Sequence, residues 1–316
     1  MKTRKRNFQL PHPQPVDALE YARFTGICTF MRLPHIPQAE ELDIALLGIP
    51  FDGGTTYRPG ARFGPRHVRQ QSAIIRPWNP VLNVNPFAEH RIADYGDFSV
   101  NPLSIEDTFT RIERQARTVL DAGTRLASVG GDHSISLPLL RAVAKKHGPV
   151  GVIQFDAHND LWDSYFGSRY SHGTPFRRAI EEGLIREGKF LQVGLRGQTY
   201  SADDFDFARE HKVKMITAEE FHEHGIGLFR RQLAAFRNVP VYITLDIDCV
   251  DPAFAPGTGT PQVAGFSSMQ IVNLVRALKG LNIVSCDLVE VSPSFDTGEI
   301  TSLLAANLLY ELLCVL

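Results

Sequence analysis

The sequence lacks the cysteine pattern of a disulfide-stabilised domain. Only four cysteines occur in 316 residues, and no two of them stand in a CxxC pair. Such usage is typical of a reduced, cytoplasmic chain. The start MKTRKRNFQL is basic, but it lacks the apolar segment that follows in a secretory signal. We therefore expect a cytoplasmic protein.

Strong net charge and a long membrane-spanning run are absent as well. The formal charge is -2 and 43% of the residues are hydrophobic, so nothing attracts nucleic acid or an anionic membrane. The apolar end SLLAANLLYELLCVL is shorter than a membrane span and contains Asn307 and Glu311. It predicts a buried terminal helix, and neither nucleic acid nor a membrane is an expected partner.

No internal repeat, low-complexity tract or linker divides the chain, and no glycine-rich loop ends in GK[ST]. The second absence argues against a nucleotide-binding module. The chain is long enough to bury a sizeable core as one α/β domain. We predict a single domain over residues 1–316 with a short N-terminal arm over about residues 1–40.

Apolar runs and amphipathic stretches alternate along most of the sequence. Runs such as DIALLGI, VGVIQFD and VYITLDID show no in/out alternation, as expected of strands covered on both faces of a parallel sheet. Between them, SIED and SSMQ are predicted to cap helices that end at Gly123 and Gly280. This order predicts an α/β fold with a doubly wound, mostly parallel sheet.

Acidic and histidine side chains follow the ends of the predicted strands. SVGGDH ends one strand, FDAHND the next and TLDIDCVDP a later one, while LVEVSP adds Glu290. In such sheets ligands bind beyond the carboxyl ends of the strands. If the extended chain continued, Asp156, His158 and Asp160 would share one side of it. The sequence predicts that these groups converge at one rim of the sheet.

These motifs together indicate a metal site. Alone, His133 has an ordinary explanation as a turn or core histidine and DIDCVDP as an aspartate-rich turn, whereas DAHND has few packing explanations. Carboxylates this close would repel one another unless cations neutralised them. Oxygen and nitrogen donors without thiolate suit a pair of ions such as Mn²⁺, with Ni²⁺, Co²⁺ or Fe²⁺ also open. Two ions about 3.5 to 4 Å apart can share a water and lower its pKa toward neutrality, which favours hydrolysis.

Four motifs carry a resemblance to a known family. GGDHS, DAHND, DIDCVDPAFAPGTGTP and EVSPSFD, in this order, resemble the ureohydrolases, that is, the arginases and agmatinases. The likeness begins near GIPFDGGTTYRPGARFGPRHVR and covers most of the chain. It implies a three-layer α/β/α sandwich, assembly into homotrimers or homohexamers, two Mn²⁺ per subunit, and hydrolysis of a guanidino compound to an amine and urea.

The resemblance also implies a role for individual residues. Two overlapping ligand sets match, namely His133, Asp156, Asp160 and Asp246 for one ion and Asp156, His158, Asp246 and Asp248 for the other. Asp160 would in addition orient the attacking hydroxide. His172 would protonate the leaving amine, and Glu290 would hold the planar guanidinium through paired hydrogen bonds.

The substrate tail is less clearly specified. Arginases and related guanidino-acid enzymes commonly use an Asn two positions beyond the DxHxD motif to hold the substrate carboxylate, but this chain has Trp162 there. An indole contacts a cation better than a carboxylate. We therefore place agmatine first. Because Trp162 and Tyr165 can narrow the pocket, free guanidine or a small alkylguanidine is an alternative.

Guanidino acids form the other alternative. DSYFG and HGTPFRRAIEEGL resemble guanidinobutyrases and guanidinopropionases as much as agmatinases, and Arg169 is near enough in sequence to serve a carboxylate. Hydrolysis of 4-guanidinobutyrate or 3-guanidinopropionate therefore stays open. A histone deacetylase-like hydrolase would use one zinc ion and lack the six-ligand set. A non-catalytic partner subunit would not need His172 and Glu290.

Overall fold

One parallel sheet of eight strands organises the structure, a computed structural model that describes residues 12–316. The first eleven residues of the predicted N-terminal arm lie outside the described range. All strand pairings within this range are parallel. The strands are β1 (Ile44–Ile49), β2 (Ile92–Asp97), β3 (Arg125–Gly130), β4 (Val150–Phe155), β5 (Ile185–Leu195), β6 (Lys214–Thr217), β7 (Val241–Asp246) and β8 (Ile283–Val289).

Helices cover both faces of the sheet. They are α1 (Gly64–Gln71), α2 (Pro86–Glu89), α3 (Ile105–Asp121), α4 (Ser136–His147), α5 (Pro175–Glu181), α6 (Asp206–Glu210), α7 (Ala218–His224), α8 (Ile226–Leu233), α9 (Ser268–Arg276) and α10 (Ile300–Leu313). Side chains of α3, α4 and α5 belong to one apolar core, and side chains of α8, α9 and α10 belong to another. The predicted three-layer α/β/α fold is confirmed.

The strands contribute to both cores because successive side chains point to opposite faces of a strand. In β1, Ile44 and Leu46 belong to the core beside α8 to α10, whereas Ala45 and Leu47 belong to the core beside α3 to α5. Every residue of this strand is buried. Double burial explains why the strand sequences are continuously apolar rather than alternating.

Both predicted N-terminal helix caps are present, but only one of them forms a complete capping box. Ser104 accepts a hydrogen bond from the backbone N–H of Asp107 at 3.2 Å, but its capping box is incomplete. At α9 the reciprocal box between Ser267 and Gln270 is complete. The terminal helix α10 is mostly buried, as predicted. Among residues 12–316, none of the helices combines the length and the hydropathy of a membrane span.

Strand β2 was not predicted from the sequence. Strand β2 lies at an edge of the sheet, and its sequence IADYGD ends in partly exposed polar residues. Asp94 inside it is buried because it accepts hydrogen bonds from the backbone N–H of Phe30 at 2.8 Å and from Arg69 Nε at 2.9 Å. An edge strand with an internal aspartate and Gly96 does not give the apolar run by which the other strands were identified.

The sheet order brings together the strand ends that carry the polar motifs. Across the sheet the order is β2-β1-β3-β8-β7-β4-β5-β6. The four motifs follow β3, β8, β7 and β4, which are consecutive neighbours in the middle of the sheet. Parallel strands present all four ends at the same rim, so residues from four distant parts of the sequence meet there.

Candidate active site

The segment after β4 bends rather than staying extended. Asp156 Oδ1 accepts a hydrogen bond from the backbone N–H of His158 at 2.7 Å, which closes a tight turn. Asp160 follows with a φ of 51°, in the left-handed region that a residue with a side chain rarely adopts. This turn, rather than a continued extended strand, brings the side chains of Asp156, His158 and Asp160 to one rim of the sheet. Backbone strain of this kind persists where surrounding structure enforces it.

A similar turn follows β7. Asp246 is the last residue of the strand, and its Oδ1 accepts a hydrogen bond from the backbone N–H of Asp248 at 2.8 Å. The next residues form a short 3₁₀ turn, in which Cys249 belongs to the apolar core. Asp248 Oδ1 in turn accepts the backbone N–H of Ala157 at 3.1 Å, so the two motif turns are joined.

His133 stands at the centre of one group of possible metal ligands. Its Nδ1 lies 3.1 Å from Asp156 Oδ2, 3.0 Å from Asp160 Oδ2 and 3.3 Å from Asp246 Oδ2. Its Nε2 contacts Thr244 Oγ1 at 2.8 Å. Nδ1 is fully buried, yet no hydrogen bond of acceptable geometry reaches it.

These distances fit a cation. Two adjacent ligand atoms on an ion about 2.1 Å away would lie roughly 3 Å apart, which is the spacing found around His133 Nδ1. A buried nitrogen without a hydrogen bond, facing three carboxylates, is a donor set that suits a divalent ion. The Thr244 contact at Nε2 leaves Nδ1 free to bind it.

A second group shares Asp156 with the first. His158 Nδ1 lies 3.0 Å from Asp248 Oδ2 and 3.6 Å from Asp156 Oδ1. Its side chain is partly exposed, whereas the two aspartates are buried. Two clusters with one common carboxylate are what a pair of neighbouring ions requires. The structure thus brings all six proposed ligands to one rim.

Burial and mutual repulsion disfavour the ionised form of the carboxylates at this rim. Burial and the neighbouring Asp248 raise the pKa of Asp246 well above its usual value. Burial and Asp156 raise the pKa of Asp160 to about 6. Carboxylates packed this closely in low dielectric resist simultaneous ionisation. Cations would remove the penalty by giving each carboxylate a positive partner.

His172 and Glu290 form a buried pair beside the ligands. His172 Nδ1 lies 3.0 Å from Glu290 Oε1, which also accepts the backbone N–H of His133 at 2.9 Å. Burial lowers the pKa of His172, but the carboxylates of Glu290 and Asp132 outweigh it and raise that pKa to about 9. Glu290 has a φ of 64° and a second oxygen, Oε2, that is buried without a partner.

An open cavity of about 460 Å³ leads to this rim. Its wall includes His158, Asp160, His172 and Asp246. It also includes an aromatic side formed by three rings, in which Trp162 lies 6.0 Å from Tyr165 and 5.3 Å from Tyr200 between ring centroids. A side chain on Gly173 would collide with the Tyr165 ring, so this glycine lets the aromatic side pack closely.

The described wall of this cavity contains no lysine or arginine. Arg169, considered above as a partner for a substrate carboxylate, instead pairs with Glu181 at 2.9 Å, and its side chain is 66% exposed. Carboxylate recognition normally uses arginine, whose planar fork matches the two oxygens. An aromatic wall without lysine or arginine is better suited to a cationic or neutral tail.

Two parts of the wall were not identified from sequence. Tyr200 follows β5 in a segment without a recognisable motif, and Thr56 lies in the loop after β1. In the sequence, the segment GIPFDGGTTYRPGARFGPRHVR marked only the place where the family resemblance begins. Its two threonines next to a glycine pair gave no specific signal for a role.

Comparisons with known proteins agree with this arrangement. The sequence model of the arginase family matches residues 42–314. The guanidinopropionase of Pseudomonas aeruginosa is 50% identical over 310 residues, which cover 96% of each chain. The mitochondrial agmatinase of Gallus gallus is 44% identical and covers 96% of this chain and 89% of its own. The solved proclavaminate amidino hydrolase of Streptomyces clavuligerus superposes with a TM-score of 0.88 at 42% identity, covering 93% and 98% of the two chains.

Proposed function

The chain belongs to the arginase family, and from this premise we propose that its active site hydrolyses agmatine to putrescine and urea. As a member of this family it is a metal-dependent hydrolase that cleaves a C–N bond of a guanidino compound. The observation that carries the reaction class is the set of three carboxylate oxygens within 3.3 Å of the buried His133 Nδ1.

The cofactor that we propose is a pair of Mn²⁺ ions, with Ni²⁺ as the alternative. His133, Asp156, Asp160 and Asp246 would hold one ion, and Asp156, His158, Asp246 and Asp248 the other. Such a pair supplies a water that loses its proton near neutral pH and becomes nucleophilic. Asp160, in its strained conformation, would accept a hydrogen bond from this nucleophile and orient it.

Two further residues would act on the substrate itself. Glu290 offers the buried, unpartnered Oε2 as an acceptor for the guanidinium, whose planar N–H groups suit a carboxylate. A guanidinium carbon is a poor electrophile, so fixing its plane against the nucleophile is part of the catalysis. His172 would then supply a proton to the leaving nitrogen, since its neighbours keep the imidazole protonated at neutral pH.

The aromatic side of the cavity supports agmatine as the substrate. The tail of agmatine ends in an ammonium group, which is attracted to the faces of tryptophan and tyrosine rings. Trp162, Tyr165 and Tyr200 offer such faces, and the described wall contains no lysine or arginine that would repel the tail. Free guanidine or a small alkylguanidine would use the same guanidinium contacts but leave the aromatic side unfilled.

Guanidino acids are the second candidate because the relative with 50% identity is a guanidinopropionase. Their carboxylate would have to be held without arginine or lysine in the described wall, by groups such as Thr199, Gln198 and Gln262. Neutral donors bind a carboxylate more weakly than a bidentate arginine does. 4-Guanidinobutyrate and 3-guanidinopropionate are therefore placed second.

Urea release tests these candidates directly. The purified chain, loaded separately with Mn²⁺ and Ni²⁺, is assayed with agmatine, 4-guanidinobutyrate, 3-guanidinopropionate, arginine and free guanidine. We expect the largest kcat/KM with agmatine. A larger kcat/KM with either guanidino acid would overturn the substrate assignment and leave the reaction class standing.

Replacing Trp162 with Asn is expected to shift the substrate preference toward guanidino acids. The substitution removes an aromatic face and adds an amide donor where related guanidino-acid enzymes commonly have one. We expect the ratio of kcat/KM for 3-guanidinopropionate to that for agmatine to rise by about tenfold, the effect of roughly 1.4 kcal/mol. Tyr21→Phe, on the exposed N-terminal segment, serves as the control. An unchanged ratio would show that other residues select the tail.

We further propose a single domain over residues 1–316 that assembles into homotrimers or homohexamers in the cytoplasm. The proposal for assembly is supported by apolar side chains on the N-terminal segment, where Leu19, Phe24 and Ile27 are each at least 88% exposed. Such exposure is typical of surfaces that contact another subunit. Light scattering should give a mass of three or six times 35.2 kDa; a monomer would contradict it.

A further inference from the structure

Thr56 contacts the imidazole of His172 on the side opposite Glu290. Among the described residues, Nε2 of His172 has two hydrogen-bond partners, and both belong to Thr56: Oγ1 at 2.7 Å and the backbone N–H at 3.1 Å. Nδ1 on the other side faces Glu290 Oε1 at 3.0 Å. The imidazole itself is buried. A proton that leaves Nε2 therefore meets the Thr56 hydroxyl first.

The two groups of Thr56 differ in what they can do. A backbone N–H only donates, so its contact requires a lone pair on Nε2 and favours the neutral imidazole. A hydroxyl both donates and accepts, so it can pair with Nε2 in either protonation state. Only the hydroxyl can take a proton from Nε2 and pass another one on.

The loop that carries Thr56 is fixed on both sides. The backbone N–H of Gly54 donates to Asp132 Oδ2 at 2.7 Å, and the backbone N–H of His172 donates to Gly54 O at 2.9 Å. Farther along, the backbone N–H of Gly60 donates to Asp52 Oδ2 at 2.8 Å. These bonds hold Thr56 against His172 before any substrate enters, which is the preorganisation that proton transfer needs.

Thr56 also lies in the wall of the substrate cavity, together with His172 and Asp160. Resting on the proposed function, we propose that the Thr56 hydroxyl relays the proton from His172 to the leaving amine. As the C–N bond breaks, its electron pair goes to the departing nitrogen, which takes the Thr56 Oγ1 proton. Oγ1 takes the Nε2 proton at the same time. A proton from solvent water then restores the imidazolium.

The product state of this relay keeps both contacts that Thr56 makes with His172 Nε2. After transfer, His172 is neutral, its Nδ1–H donates to Glu290, and its Nε2 accepts from both groups of Thr56. That is the arrangement in which the backbone N–H contact at 3.1 Å is favourable. Direct transfer from Nε2 to the substrate would instead require the Thr56 hydroxyl to move away from its 2.7 Å contact.

Three variants separate the hydroxyl from the shape of the side chain. Thr56→Val keeps the branched shape and the backbone N–H but removes the hydroxyl, and Thr56→Ser keeps the hydroxyl. Thr55→Val is the matched control, because the neighbouring Thr55 hydroxyl is buried without a hydrogen-bond partner. We expect kcat to fall about a hundredfold in Thr56→Val, the usual scale of acid–base catalysis. Thr56→Ser and Thr55→Val should stay within severalfold of the unmodified protein.

A change of leaving group distinguishes a relay from a packing role. In the oxyguanidine analogue of agmatine, the leaving nitrogen becomes a weakly basic alkoxyamine that departs with less need of a proton. The kcat loss of Thr56→Val should shrink at least tenfold on this analogue, because proton donation no longer limits the step. In metal-free protein, the ¹⁵N resonance of His172 Nε2 should move in Thr56→Val and stay in place in Thr55→Val.

The outcomes separate this relay from the proposed function. If the unmodified protein releases urea and Thr56→Val matches it, the relay is wrong and the function stands. An equal loss on both substrates would also overturn the relay and assign Thr56 a packing role. If the unmodified protein releases no urea from any guanidino compound, the proposed function fails, and the relay fails with it.

Discussion

Replacing Asp156 with Asn is expected to lower urea release by about a thousandfold or more, because several kcal/mol of catalysis depend on the bound ions. Asp156 belongs to both candidate ligand groups. Its Oδ2 lies 3.1 Å from His133 Nδ1 and its Oδ1 lies 3.6 Å from His158 Nδ1. An amide has no charge and one oxygen fewer, so both ions should be lost together. The measurements are bound metal per chain and the urea rate.

Metal-dependent stability gives a readout that does not require turnover. A ligand present at 100 times its Kd stabilises the folded state by about 2.7 kcal/mol. The melting temperature of the unmodified protein should therefore rise when Mn²⁺ is added, and that of Asp156→Asn should not. Asp163→Asn is the matched control, since Asp163 stands in the same segment but is 68% exposed and pairs with Arg178. Two retained ions in Asp156→Asn would contradict the ligand assignment.

Replacing His172 with Ala is expected to reduce kcat by about a hundredfold or more while both ions stay bound. His172 contacts Glu290, Thr56 and the backbone, but none of the six proposed ligands by a hydrogen bond. The loss would come from the missing proton donor. The urea rate and the bound metal per chain are measured for both variants. In His172→Ala only the rate should fall, whereas in Asp156→Asn the metal and the rate should fall together.

The pH profile gives the same assignment a second test. Because neighbouring carboxylates raise the pKa of His172 to about 9, the protonated form that donates is present at neutral pH. The kcat should fall as the pH rises through that value, or somewhat below it since bound cations oppose a positive imidazole. His172→Ala should lack this alkaline loss, and His224→Ala, at an exposed position, should keep it. A profile unaffected by His172→Ala would remove the residue from proton transfer.

The fold was predictable from sequence where a single physical cause dominates. Strands buried on both faces are continuously apolar, so β1, β3, β4 and β7 were visible as runs such as DIALLGI and VYITLDID. The edge strand β2 was not, because Asp94 and Gly96 interrupt it. Asp94 pairs with the backbone N–H of Phe30 and with Arg69, contacts that no local pattern reveals.

The site was predictable in composition but not in its spatial construction. The motifs named the ligands, yet the neighbour order β3-β8-β7-β4 is set by packing between distant segments. The turn at Asp160 likewise depends on tertiary contacts that hold a left-handed φ of 51°. Thr56 has no special sequence signature, because its significance arises only from its 2.7 Å contact with His172.

Product formation as a function of bound metal tests the central claim most directly. Metal-free protein is titrated with Mn²⁺, and urea and putrescine formed from agmatine are measured at each ratio of bound ion to chain. We predict one urea for each putrescine and a rate that reaches its maximum at about two bound ions. Full activity with one ion or none, or no urea at two bound ions, would contradict a dinuclear hydrolase acting on agmatine.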